Sequence, residues 1–421
     1  MPQIAPGFTF AAGNAKKLSA LPGYALGALA SVFVPRRSDL WVFGSGPGVG
    51  EGALALYRTV RQQHPGRRLL WLARDDRDLA AARALDIPAV VKSSARGFWS
   101  TLRARVVVVT HGFGDANRYG IRGAFVVQLW HGIPLKLINL DSPATLRMRV
   151  LPDSTAMRRM LRLMYRTAAR SIDLMPAASE VSARRLRTAF DLPDDRVVVT
   201  GDPRDDVLVA GSEQERTGTA RDLVFGRLGL APTGQRILLY APTWRDGDVD
   251  PGIPTPDEWR AIAALLESTD SLLLVRPHPH GVGDYAAGFG VSPRILLFDS
   301  ALCTDVTPAL PAVDVLITDY SSIAFDFALT GRPIVFLAAD VDRYTASRGL
   351  YVPYATFSGG TEVPTWTEAL AVVERIDSDP AARKRAAEHS EALAATHHEY
   401  RDGGNTERVY VQITTRLKEH E

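Results

Sequence analysis

The chain has a single cysteine, Cys303. No intrachain disulfide can form and no zinc site can be built on thiolates, which suits a reducing compartment. Long apolar runs are missing too, since no stretch reaches the roughly 18–20 uninterrupted apolar residues of a membrane-spanning helix. The nearest, Leu18 to Pro35, is interrupted by Pro22, Gly23 and Gly27 and flanked by Lys16-Lys17 and Arg36-Arg37. It reads as an interfacial anchor lying on a membrane or as the first packed helix. An excess of one charge is missing: the net is only +2, which gives no ground for a nucleic-acid partner, and none is expected. Two phosphate signatures fail as well. The glycine-rich loop Gly44 to Gly52 (GSGPGVGEG) supplies neither G-x-G-x-x-G nor G-x-x-x-x-G-K-[ST], which takes away most of the support for kinase and P-loop readings. Repeats and low-complexity tracts are not seen.

What is present fills more than one core. Over 421 residues, 46% apolar and 23% charged residues describe a globular chain of two or three domains. Short apolar runs alternate with helical stretches: Leu40–Phe43, Leu69–Leu72, Ala89–Val91, Val106–Val109 and Phe125–Leu129 in the first half, then Ile237–Tyr240, Leu272–Val275, Ile295–Phe298, Val315–Ile317 and Ile334–Leu337 in the second. Such runs indicate parallel strands covered on both faces, so the expected fold is α/β, with two doubly wound, Rossmann-type domains facing each other across a cleft. The expected division is a leader (1–37), an acceptor domain (38–210), a polar linker with a helix-like insert at Ala220–Leu228 (211–234), a donor-nucleotide domain (235–395) and a helical tail (396–421). Ligands of such folds bind at the carboxyl ends of the strands.

Four motifs stand at those ends. In QLWHGIPLK (128–136), His131 sits after a strand on a Gly/Pro turn, where an imidazole can take a proton from a hydroxyl, and Lys136 can meet a phosphate or the acceptor. The same histidine would also suit a packed, hydrogen-bonded turn. In APTWRD (241–246), Thr243 and Arg245 can donate to an anion, or the segment is a rigid turn with an Arg–Asp pair. In RPHPH (276–280), two prolines restrict the backbone, and Arg276 and His278 suit a diphosphate or leaving group. His278 and His280 lie two apart with no third ligand nearby, so no metal is assigned, and no cofactor is expected. In DVLITDYSSIAFD (314–326), Thr318, Asp319, Ser321 and Ser322 crowd a strand end. Either serine would N-cap the next helix and offer its N–H groups to a phosphate, and a capped helix without ligand is equally consistent.

A basic segment follows the first motif. Arg149, Arg158, Arg159, Arg162, Arg166 and Arg170 are opposed only by Asp153, with Met157, Met160, Leu161, Met164 and Tyr165 at helical spacing among them. A basic amphipathic helix of this kind suits an anionic membrane surface through Arg158, Arg159, Arg162 and Arg166, or is a solvated helix beside the cleft.

Together these segments resemble the CDP-glycerol glycerophosphotransferase family, the teichoic-acid primases and polymerases of GT-B fold. The resemblance is carried by QLWHGIPLK (128–136), ASEVSARRLRTAF (178–190), TGDPRDDVL (200–208), YAPTWRD (240–246), RPH (276–278), DVLITDYSSIAFDF (314–327), GRPIVFLAADVDRYTASRGLY (331–351) and HEYRDGGNTERV (398–409), in order from about residue 38 to 412. It implies that His131 is the general base, that His278 contacts the donor diphosphate or protonates the leaving phosphate, and that Thr243, Arg245, Ser321 and Ser322 line the donor phosphate site. It further implies CDP-glycerol or a related CDP-polyol as donor, CMP as leaving group, a lipid-linked acceptor, and peripheral attachment at the cytoplasmic face of the membrane. Two positions depart from the family's pattern: Ile133 stands where threonine is usual, and Asp202 where an aromatic is usual in G-x-P-R. Two other readings share some of these features. One is a nucleotide-sugar glycosyltransferase, which would need a carboxylate for the sugar ring at the second-domain motif; the other is a catalytically inactive membrane-peripheral scaffold, which would be expected to have lost His131, His278 or the serines.

Overall fold

The computed structural model describes residues 21–146, 154–245, 248–279, 281 and 283–419. Lys16-Lys17, Arg149, Asp153, Asp246 and His280 lie outside them.

After helix α1 (Leu21–Phe33), the first half builds a five-stranded sheet from β1 (Arg37–Phe43), β2 (Arg68–Ala73), β3 (Ala89–Val91), β4 (Ala104–Val109) and β5 (Phe125–Gln128). Every pair is parallel and the order is β3-β2-β1-β4-β5. Alternation along the strands serves both faces. Trp41, Phe43, Val106 and Val108 face one apolar layer with Leu56 and Val60 of α2 (Glu51–Gln63), while Val42, Val107 and Val109 face another. Helices α3 (Asp76–Ala84) and α4 (Ala95–Arg103) complete the crossovers. A second parallel pair, β6 (Met175–Ala177) with β7 (Val197–Val199), is joined to β5 through Gln128 N donating to Leu174 O at 2.9 Å. These two strands have only three residues each and one contains Pro176, so they give little signal in the sequence. Between β5 and β6 runs α5 (Thr155–Ala169), and between β6 and β7 runs α6 (Glu180–Phe190).

Segment 211–234, expected as a linker with a helix-like insert at Ala220–Leu228, is mostly helix, longer than that insert. Ser212 and Glu215 form a capping box, α7 spans Glu213–Leu228, and Gly229 at φ +68° closes it. Ala220, Val224 and Phe225 are buried in the core of the second half. Its polar face suggested a linker, but three apolar side chains at helical spacing suffice to dock it.

The second half repeats the first. β8 (Arg236–Ala241), β9 (Ser271–Val275), β10 (Ile295–Leu297), β11 (Val315–Thr318) and β12 (Ile334–Phe336) are parallel in the order β10-β9-β8-β11-β12. Helices α8 (Pro256–Ser268), α9 (Ile323–Ala328) and α10 (Val341–Arg348) are followed by α11 (Trp366–Ser378) and α12 (Pro380–His397). The chain then returns: α13 (Asn405–Glu419) places Val409, Tyr410, Ile413 and Leu417 in the core of the first sheet. Conversely, Ile133, Leu135, Ala178 and Leu208 of the first half are buried in the core of the second. The halves therefore share apolar surface as well as a chain crossing.

In both sheets the strand order reverses beside the first strand, between β1 and β4 and between β8 and β11. These are the crevices where open α/β sheets hold ligands.

Candidate active site

At the β8/β11 crevice, the turn after β8 and the turn after β11 are bonded into one unit. Asp319 accepts from Thr243 N at 2.8 Å and Tyr320 N at 2.6 Å. Arg245 donates to Asp319 at 3.0 Å and, through Nε and Nη2, to both oxygens of Asp340 at 2.9 and 2.8 Å. A further bond joins Arg245 to the Thr243 carbonyl. Its guanidinium lies over the rings of Tyr320 and Tyr344, 5.0 and 4.9 Å from their centroids. Burial works against its charge, and the two carboxylates outweigh that, holding its pKa above the usual range. Thr318 is fully buried and donates to Ala241 O at 2.7 Å. Arg276 holds the carbonyls of Phe298 at 3.1 Å and Cys303 at 2.8 Å. So Arg245, Arg276, Thr318 and Asp319 build the walls of the crevice. The hydroxyl of Thr243, by contrast, is buried with no hydrogen-bond partner among the described residues, as expected of a group that meets a ligand.

Trp244 carries the site outward. Its ring lies 5.9 Å from that of His278 at 27°, and the Arg348 guanidinium sits 5.3 Å from the indole centroid. A cavity of about 200 Å³ opens beside this group, lined by Arg245, Asp340, Arg343, Tyr344, Ser347 and Arg348. Lys136 is half-buried near the same cations; burial first, then Arg348, lowers its pKa to about 8.

Opposite stands the turn of His131. Trp130 adopts φ +65°, a conformation unfavourable for a bulky residue, and Gly132 adopts φ +133°. A Cβ on Gly132 would come within 3.0 Å of Ser322 Oγ and 2.8 Å of Arg204 Nη2, so only glycine lets this turn touch the second half. His131 is thereby brought against the Ser321-Ser322 turn. Neither serine caps α9 in the expected way. Ser322, at the N-cap, has helical backbone angles (φ −65°, ψ −14°) and no side-chain cap bond, because capping needs an extended residue there. Ser321 Oγ accepts only a long bond, 3.4 Å, from Ile323 N.

The imidazole of His131 is packed between rings: His111 stacks on it at 3.9 Å and 7°, and Trp130 leans against it at 4.2 Å. Its Nδ1 is buried with no hydrogen-bond partner among the described residues. Burial, then the neighbouring His111, Arg204 and Lys136, push its pKa well below the usual value, so the ring is neutral at pH 7.

Arg204 locks this arrangement. It donates to the His131 carbonyl at 3.1 Å and to both oxygens of Asp326 in α9 at 2.6 Å, with Asp202 3.2 Å away. Behind it, Asp205 pairs with His398 at 3.3 Å. One arginine thus faces three carboxylates. Burial pushes Asp326 up to about 7 and Asp202 well above the carboxylate range, against the pull of Arg204. Asp202, in place of the family's aromatic, is a member of this cluster.

Sequence reasoning singled out His131 but not His111, Glu51 or Arg204. His111 follows β4 and precedes Gly112, the same strand-histidine-glycine pattern as His131, so that signal was available. Glu51 and Arg204 matter through contacts that spacing does not reveal. Away from the site, Arg158, Arg159 and Arg162 are exposed on α5 beside Leu163 and Met160, and Arg166 pairs with Asp191 at 3.1 Å. On α1, Leu26, Leu29, Val32 and Phe33 are 59–76% exposed. Among the described residues no helix is long and apolar enough to cross a membrane.

The chain is similar in sequence and fold to known proteins. The teichoic acid glycerol-phosphate transferase of Staphylococcus aureus is 26% identical over 332 residues, 77% of this chain and 79% of its own. The teichoic acid poly(glycerol phosphate) polymerase of Bacillus subtilis is 26% identical over 327 residues, 77% of this chain but 42% of the longer polymerase. The structure of the wall teichoic acid polymerase TagF superposes with a TM-score of 0.74 at 21% identity, covering 98% of both chains, which establishes the GT-B-like fold. The family described as CDP-glycerol:poly(glycerophosphate) glycerophosphotransferase matches residues 28–415. The chain belongs to that family of glycerophosphotransferases.

Proposed function

We propose that the protein transfers glycerol phosphate, or a related polyol phosphate, from a CDP-activated donor to a hydroxyl of a lipid-linked acceptor at the cytoplasmic face of the membrane, with release of CMP. The observation that carries this reading is His131: a half-buried, neutral imidazole whose buried Nδ1 has no hydrogen-bond partner among the described residues, held by a glycine turn against Ser322 at the mouth of the second sheet.

The donor diphosphate lies at the β8/β11 crevice, against the Thr243 hydroxyl, Ser321 and Ser322, with Lys136 alongside. Arg245 and Asp319 keep that crevice in shape, and His278 faces the departing CMP phosphate. The acceptor hydroxyl gives its proton to His131 and its oxygen attacks the distal phosphorus. The bond from that phosphorus to the bridging oxygen breaks and CMP leaves. Because the diphosphate is anionic, its arrival beside His131 offsets the lowering by Arg204 and Lys136 and makes the imidazole a stronger base when it is needed. Positioning and electrostatic stabilisation supply the rest of the acceleration.

Membrane contact rests on two surfaces, the exposed apolar side of α1 and the arginines of α5. An exposed apolar helix face and a basic helix face both favour an anionic lipid surface.

The donor is tested by incubating the purified protein with CDP-glycerol, CDP-ribitol and a nucleotide sugar and following nucleotide release. Release from a CDP-polyol alone agrees with this reading; release from the nucleotide sugar alone overturns it in favour of a glycosyltransferase.

A further inference from the structure

The donor reading occupies the crevice of the second sheet, while the matching crevice of the first, between β1 and β4, holds a second group of polar side chains. The glycine-rich loop after β1 brings Ser45 and Glu51, and the end of β4 brings Thr110 and His111. Ser45 Oγ donates to Glu51 at 2.7 Å, and Thr110 Oγ1 donates to Ser45 Oγ at 3.1 Å. His111 Nδ1 lies 2.9 Å from Thr110 Oγ1 and 3.6 Å from the Glu51 carboxylate. Glu51 adopts φ +55°, a strained conformation for a non-glycine residue, and its N–H donates across the cleft to Asp305 at 2.7 Å. The glycines of this loop serve close approach: a Cβ on Gly46 would stand 2.4 Å from the His111 ring, and one on Gly50 3.0 Å from Asp305.

His111 is therefore held by Gly46 along one edge, by Thr110 and Glu51 at Nδ1, and by the parallel ring of His131, 3.9 Å away, on one face. With Nδ1–H directed at Thr110 and Glu51, Nε2 is the accepting nitrogen. It has no hydrogen bond among the described residues, and the side chain is 36% exposed at the cleft.

We propose that His111 is a specificity-determining residue: its Nε2 binds the hydroxyl next to the attacking one, so that the site selects an acceptor ending in a vicinal diol. The proposal rests on His131 as the base. Oxygens on adjacent carbons stand roughly 3–4 Å apart in staggered conformers, a spacing that two parallel imidazoles 3.9 Å apart can meet with their edge nitrogens. A lone primary alcohol would leave the His111 nitrogen without a partner, and sites built to bond a hydroxyl discriminate against analogues that lack it.

The test uses the full chain, CDP-glycerol and two lipid-linked acceptors that differ by one hydroxyl, one ending in glycerol phosphate and one in its 2-deoxy (propanediol) counterpart. The expected result is a wild-type kcat/KM about 10–100-fold higher for the diol, a preference that collapses in His111→Phe, which keeps a ring against His131, and partly returns in His111→Asn. Equal use of both acceptors by the wild type overturns the proposal alone, and so does an equal loss on both acceptors in His111→Phe, which would make His111 a mere support for His131. No CMP release with either acceptor overturns the transferase reading and this proposal with it.

Discussion

At the scale of single residues, His131 shows how burial sets chemistry. Its pKa is lowered chiefly by desolvation and then by His111, Arg204 and Lys136, so the acid limb of kcat/KM, which reports the free enzyme, should lie below the imidazole's usual pH of about 6.5. A pH profile of kcat/KM measured with donor and acceptor both well below saturation checks this, and an acid limb above that value would contradict it. His397 obeys the same logic away from the site: burial, then Arg185 and His398, lower it to about 3. A histidine with a depressed folded pKa binds its proton more readily in the unfolded chain, so stability falls with pH below the unfolded value. The loss is about 1.4 kcal/mol per pH unit between roughly 6.5 and about 3. Asp202 and Asp326, with raised values, act in the opposite sense. The comparison must therefore be between proteins: His397→Phe should lose less stability than the wild type between pH 6.5 and 4 in denaturant titrations. His131 stood out in the sequence as a histidine after an apolar strand and before glycine, a position that also suits a packed turn. His111 meets the same description, and the role proposed for it rests on its ring being stacked on His131.

Among elements, the strands were the most legible part of the chain. Runs such as Ala89–Val91 and Val315–Ile317 coincide with β3 and β11 to within a residue, because a strand covered on both faces leaves little choice but Val, Ile and Leu. The turns after the strands were legible as places, and less so as contacts. Arg245 looked like a phosphate ligand, yet its guanidinium ties the ends of β8, β11 and β12 together through Asp319 and Asp340. Replacing it with alanine strands the buried carboxylate of Asp319 and the half-buried one of Asp340 and should cost about 3–5 kcal/mol of stability. Arg245→Lys, which keeps the charge but not the fork to Asp340, should fall between the two. Denaturant unfolding of the three proteins checks the order. Segment 211–234 was legible in part: the helix-like stretch Ala220–Leu228 lies within α7, whereas the first two turns of that helix are polar and resemble a linker in composition, because docking rests on Ala220, Val224 and Phe225 with Leu223 and Leu228 beside them.

The whole molecule depends on contacts that no local pattern encodes. Ile133 and Leu135 enter the core of the opposite half, α13 returns to the first sheet, and Arg204 spans the cleft between the His131 carbonyl and Asp326. Family spacing suggested that these segments belong together, but which faces meet required the fold. The proposed membrane surface also belongs to this scale. Arg158, Arg159 and Arg162 together should contribute about 3 kcal/mol of attraction to anionic lipid, so the triple glutamine variant should bind anionic vesicles roughly 100-fold more weakly, and wild-type binding should weaken with added salt. Vesicle co-sedimentation measures both, and unchanged binding in the variant would remove α5 from the membrane surface. The central claim, that His131 deprotonates an acceptor which then displaces CMP, is tested most directly by CMP release from CDP-glycerol with and without a lipid-linked acceptor, in the wild type and in His131→Ala. The account predicts acceptor-dependent release that falls about 10²–10⁴-fold in the variant while the affinity for CDP-glycerol, measured by equilibrium binding, is retained. Release that is undiminished in His131→Ala would contradict it.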